Sequence, residues 1–141
     1  MTQYQLFESP KKWFSMVYPV SWEMMVVEEI PAFFDPHGNG ALQVYSFENT
    51  ENNYDLDEEM ERYLAVHEMS GQEIQTITLT NEDGYDIRAC EFKKEDRFWI
   101  LFMLGRGKGK MVLATYNCDA IIDEATAEII FSSISSIKIR D

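Results

Sequence analysis

The sequence predicts an α+β domain: an antiparallel β-sheet in two groups of about four strands, sandwiched by helices, in the order ββββ-α-ββββ-α. Three observations carry that expectation. Residues Ile74 to Cys118 break into four extended runs, IQTITLT, YDIRACEFK, FWILFMLGR and KMVLATYNC, joined by the short links NEDG, KEDR and GKG. Two further stretches, beginning near Asp55 and Asp119, repeat their apolar residues at helical spacing. The run Phe98 to Leu104 has no polar member, so its strand must be covered on both faces.

Taken in order, Met1 to Lys12 is polar and reads as a loose lead-in or a short helix, in which Leu6 and Phe7 can pack. In FSMVYPVSW, Phe14, Met16 and Tyr18 alternate with Ser15 and Val17, which gives a short strand ended by Pro19. Trp22 to Glu28 follows as a second strand and Ile30 to Pro36 as a third. The HGNG turn leads into a fourth, Ala41 to Glu48. The first helix starts near Asp55, which stands three residues before Glu58 as in a capping box, with Asp in place of Ser or Thr. Leu56, Met60, Tyr63, Leu64 and His67 form its apolar stripe, and Gly71 stops it.

Hairpin pairing sorts the next four strands by face, because directly paired residues point the same way. With turns centred on Asp83, Glu95/Asp96 and Lys108, Cys90 lies beside Leu101 and Leu101 beside Thr115. One face is expected to collect Ile77, Leu79, Cys90, Phe92, Leu101 and Met103, with Arg88 as its only charge. The other collects Thr76, Thr78 and Thr80, then Tyr85, Ile87, Phe98, Ile100, Phe102 and Tyr116. The two helices cover these faces, one each, unless a second subunit or a bound partner takes the Tyr85/Phe98/Phe102 side. The second helix, Asp119 to Ile137, has acidic residues at its N-terminal end and a stripe wide enough to predict deep burial; Ile137-Lys-Ile139 finishes as an extended tail.

A chain of 141 residues forms a single domain, 1–141, that buries roughly two thirds of its unfolded surface. A formal net charge of -13 argues against nucleic acid and anionic membrane, and favours a basic or hydrophobic protein partner. The first residues lack the apolar core of a signal peptide, and no run has the length of a membrane span, so a cytoplasmic location is expected. Cys90 and Cys118 fall on non-adjacent strands and opposite faces, too far apart to bridge.

Chemistry-bearing motifs are sparse. His37 follows Asp35 in the HGNG turn, which allows an Asp-His dyad but fits an exposed turn histidine better. GRGKGK, Gly105 to Lys110, lacks the following helix of a phosphate-binding loop and reads as a hairpin tip. The acidic block Glu48 to Glu61 lacks the glycine and the spacing of a calcium loop and reads as a solvated helix face. No metal ligand set, cofactor or catalytic residue is expected.

The aromatic Tyr-Pro-Trp run at Phe14, Tyr18, Pro19 and Trp22, FFDP before a glycine turn, and ATYNC before an acidic, isoleucine-rich helix ending SSI together resemble the PsbP/DcrB-like superfamily, over nearly the whole chain. The resemblance implies a PsbP-like antiparallel sheet between helices and a binding role; lacking a signal or lipoprotein cysteine, the sequence is most similar to the cytoplasmic bacterial branch. Sequence and resemblance together predict a non-catalytic protein-binding module, a chaperone-like or immunity-type adaptor that also admits a homodimer. Its expected partner-binding residues are Tyr85, Ile87, Phe98, Ile100, Phe102 and Tyr116. The alternative is an enzyme or small-ligand binder with its pocket near Trp22, Asp35 and His37.

Overall fold

The computed structural model describes residues 2–10, 13–48, 54–68, 73–105 and 109–140. It is α+β and mostly sheet. The elements are β1 (Tyr4–Glu8), β2 (Phe14–Pro19), β3 (Glu23–Val27), β4 (Ile30–Phe34), β5 (Ala41–Glu48), α1 (Leu56–Val66), β6 (Ile77–Thr80), β7 (Asp86–Lys94), β8 (Arg97–Gly105), β9 (Lys110–Cys118), α2 (Glu124–Ser135) and β10 (Lys138–Ile139). Seven strands form one antiparallel sheet in the order β3-β4-β5-β9-β8-β7-β6, and β1-β2-β10 form a separate sheet of three.

Five strands therefore precede α1, and one follows α2. The expected lead-in is β1, paired to β2 with Phe7 opposite Met16. Of its five residues only Phe7 is buried, so it carries too little apolar pattern to announce itself. The expected extended tail becomes β10, paired to the other side of β2.

The large sheet has a helix on each face. Asp55 caps α1 by accepting from the amides of Asp57 at 3.0 Å and Glu58 at 3.3 Å. The apolar side of α1 packs Leu56 and Met60 against Cys90, Phe92, Leu101 and Met103. The helix ends at Val66, with His67 as its cap; the expected stop at Gly71 lies outside the described residues. Arg88, the one charge expected on this face, reaches Asp57 of α1 at 2.7 Å.

On the opposite face α2 and the three-stranded sheet form one layer. Ile130 and Ile134 of α2 meet Phe7, Phe14 and Met16 of the small sheet and Phe33 of β4 in a single core. Asp123 caps α2 through the amide of Thr126 at 2.7 Å, so the helix starts at Glu124 rather than Asp119. It is also less buried than its wide stripe predicts: Ala125 is exposed and Phe131 is 41% exposed. A helix lying on a sheet buries the side it presents, and the rest of its apolar stripe stays in solvent.

The meander register is as expected, with Cys90 opposite Leu101 and Leu101 opposite Thr115. The face of β6 is not. Ile77 pairs with Ala89 and Leu79 with Ile87, so both belong to the α2 face, while Thr78 lies opposite Arg88 on the α1 face. A turn centred on Asp83 dictates that parity, and a one-residue slip reverses every side chain.

Candidate functional site

The six residues expected to meet a partner do share one continuous face, but the chain itself covers most of it. Tyr85, Ile87, Ile100, Phe102 and Tyr116 are buried and Phe98 is partly buried, all in the core closed by α2 and the small sheet. The hydroxyl of Tyr85 is bonded to Ile139 of β10. A broad open surface is therefore absent at these positions.

What remains accessible is a groove at the edge of that face. A helix about 10 Å wide covers roughly two strand spacings, and α2 leaves a strip beside β6 open. Ile77 and Leu79 of β6 form one wall, Ala127 and Phe131 of α2 the other, and Ile100 and Phe102 lie in the floor. The groove has a volume of about 590 Å³ and is half open rather than enclosed. Ile77 is 57% exposed, which marks this wall as apolar surface that the fold leaves uncovered.

Carboxylates predominate in the described lining of the groove, and Lys93 lies beyond Glu91 on the same face of β7, over the Phe98 ring. Glu73 and Glu91 are the charged residues of its lining among the described residues. Helical spacing sets the exposed Glu124 and Glu128 on the same side of α2 as Ala127 and Phe131. The groove thus has an apolar floor with carboxylates at its rim.

Of the groove, the sequence pointed only to the floor residues Ile100 and Phe102 and missed both walls, Ile77 and Leu79 on one side and Ala127 and Phe131 on the other. Pairing Ile77 with Ala89 would have placed both β6 residues correctly. The exposure of Phe131 has no local signal, because it depends on how α2 rolls on the sheet.

The second constellation is only partly assembled. Trp22, Asp35, Tyr116 and Asp123 line a smaller cleft of about 260 Å³, and His37 is not among its walls. His37 is exposed on its turn, where its backbone amide donates to Asp35 Oδ1 at 2.9 Å. The loop is pinned from below: Arg97 Nε donates to Asn117 Oδ1 at 2.5 Å and its guanidinium reaches the Asn39 carbonyl at 3.2 Å. Gly40 is required there, because a Cβ would stand 2.1 Å from the Tyr116 hydroxyl. Burial pushes the Tyr116 phenol up to about 12, helped by Cys118, Asp123 and Asp35, so it stays protonated near neutral pH.

The thiols are equally quiet. Cys90 lies 3.7 Å from Met60 Sδ, and burial, with Glu91 adding to it, pushes the thiol up to about 11. Cys118 donates to the Ala120 carbonyl at 3.0 Å. At the expected hairpin tip, residues 106–108 lie outside the described residues, but Lys110 opens β9. Its ammonium lies 3.8 Å from the Glu48 carboxylate and 5.5 Å from the centre of the Trp13 ring. The acidic block is described only in part: Glu48 ends β5, and Leu56–Val66 is helical. No cluster of three or more metal-ligating side chains occurs among the described residues. No helix among them is long and apolar enough to cross a membrane.

No family model matches the chain, and no curated protein does. A protein from Bacteroides thetaiotaomicron VPI-5482, known from a crystal structure at 1.50 Å resolution, is similar in fold, with a TM-score of 0.67 and 18% sequence identity. The match takes in 100% of this chain and 50% of that one, so the chain spans about half the length of its structural counterpart. A likeness at this identity concerns the fold alone.

Proposed function

We propose that this chain is a non-catalytic protein-binding module of the bacterial cytoplasm, which holds a segment of another polypeptide in the groove between β6 and α2. The observation that carries the reading is the groove itself: apolar walls from two different elements, an acidic rim, and an open side along which a chain can lie. The net charge of -13 selects a basic partner and disfavours nucleic acid. Two free, buried thiols suit a reducing compartment. A chaperone-like or immunity-type adaptor is the form of this role that the resemblance to PsbP/DcrB-like binding proteins favours.

The test is co-purification from the native cell with wild-type protein and with Ile77→Lys/Phe131→Asp. Both side chains are already exposed, and circular dichroism with a thermal melt establishes that the variant is folded. A polypeptide retained by the wild type and lost from the variant is the expected result. Equal retention by both proteins overturns the groove as the binding site.

A further inference from the structure

The geometry points to a second interaction surface, independent of the groove: we propose that β3, at the opposite edge of the seven-stranded sheet, takes up an extended apolar strand of a different protein whose ends carry lysine or arginine. β3 reads Glu-Met-Met-Val-Val and all five residues are exposed. Met24, Met25, Val26 and Val27 are 36%, 51%, 43% and 55% exposed, so apolar side chains stand in solvent on both faces of one strand.

Natural sheets protect their edges with short strands, lysine, proline, bulges or a covering element. Two of the other edges follow that rule, and β1, the remaining edge, has Leu6 as its one large apolar side chain in solvent. β6 has four residues, two of them threonine. The outer side of β10 is closed by a side chain, because Tyr85 Oη accepts from the Ile139 amide at 2.8 Å. β3 is only one residue longer than β6, but it contains no lysine, proline or threonine, and its backbone is ready to pair. A two-residue hairpin closes on a hydrogen-bonded pair, here Val27 with Ile30 across Glu28 and Glu29. Alternation from that pair leaves the amides and carbonyls of Met24 and Val26 pointing away from β4. Pro31, which has no amide hydrogen, lies opposite Val26, as this phase requires.

Charge selects the occupant. The apolar stretch is bounded by exposed Glu23 on one side and exposed Glu28 on the other. A second copy paired antiparallel through Met24 and Val26 sets Glu23 opposite Val27 and next to Glu28 of its mate, at both ends of the ribbon. That arrangement joins like charges in two molecules that each carry a net -13. A foreign strand with basic ends meets the same groups with the opposite sign.

The test uses the full chain and two synthetic probes, KKVTVIKK and EEVTVIEE, followed by fluorescence anisotropy at low and high salt. The lysine-flanked probe is expected to bind at least about tenfold more tightly, with a preference that shrinks as salt is added. Val26→Pro removes an outward amide without taking a bond from the sheet and is expected to abolish binding, while Val26→Thr retains it. Circular dichroism and a thermal melt establish that both variants are folded, and Met24→Pro serves if Val26→Pro is not. Ile77→Lys/Phe131→Asp is expected to leave probe binding unchanged, which separates this surface from the groove. Equal binding of the two probes, or undiminished binding by a folded proline variant, overturns the proposal. So does a wild-type dimer in light scattering that Val26→Pro converts to monomer.

Discussion

The Tyr85 hydroxyl accepts the amide hydrogen of Ile139 at 2.8 Å and stands 3.4 Å from the carbonyl oxygen of the same residue. Arg140 donates its amide to the Trp13 carbonyl at 2.8 Å, so the neighbouring backbone groups of Ile139 face away from β2. One side chain from just before β7 therefore occupies the place of a missing strand beside β10. It ties the three-stranded sheet to the seven-stranded one, and both residues are buried.

Tyr85→Phe keeps the ring and removes that tie. The buried amide and carbonyl of Ile139 then have no hydroxyl to meet, a loss of about 1–3 kcal/mol. Urea denaturation is expected to show a lower midpoint at an unchanged slope. An unaltered midpoint contradicts the bridging role.

The β7–β8 turn carries a different kind of cost. Glu95 and Asp96 both adopt positive φ, 55° and 61°, the conformation that favours Asn-Gly in a two-residue hairpin. Each side chain in the left-handed region costs roughly 1–2 kcal/mol. Glu95→Asn/Asp96→Gly is expected to raise the melting temperature, with no change in the circular dichroism of the sheet. The β3–β4 turn at Glu28 and Glu29, φ 53° and 69°, has the same strained form.

Acid should weaken the molecule through two carboxylates in the first turns of its helices, the cap Asp123 and the Arg88 partner Asp57. The Thr126 amide holds the Asp123 carboxyl below the usual carboxylate range, and the hydrogen bond from Arg88 does the same for Asp57. A depressed folded pKa contributes stability that is present above the unfolded value and is lost as pH falls through the folded one. The melting temperature is therefore expected to drop below about pH 4. Asp123→Asn, which can still cap but cannot titrate, flattens part of that fall. Both carboxylates are exposed, so added salt reduces the effect.

The meander was legible because each of its turns is short and polar, β8 is a nearly unbroken apolar run, and β6 and β7 alternate apolar with polar residues over much of their length. Asp55 announced α1 for a comparable reason: its side chain acts on amides two and three residues away. Contacts made across long distances in sequence left no such mark. β10 is two residues long and exists only because β2 lies beside it, and β1 shows a single buried side chain. Tyr85, Ile87, Phe98, Ile100, Phe102 and Tyr116 do lie on one face, but β6 was placed with the wrong parity and the cover of that face was not assigned: Tyr85 and Tyr116 carry aromatic side chains that suit an interface and a core alike. The groove depended on the parity of Ile77 and Leu79 and on the roll of α2. Only the first of these can be obtained from the turn.

The central claim, that the β6–α2 groove holds a polypeptide, is tested most directly by a photo-crosslinking side chain at position 77 in the native cell. Val66, 70% exposed on the opposite helix, provides the control position. A discrete polypeptide adduct from position 77, absent from position 66 and lost when Phe131→Asp is added, is the predicted result. Indistinguishable adducts from the two positions, or an adduct that survives Phe131→Asp, contradict it.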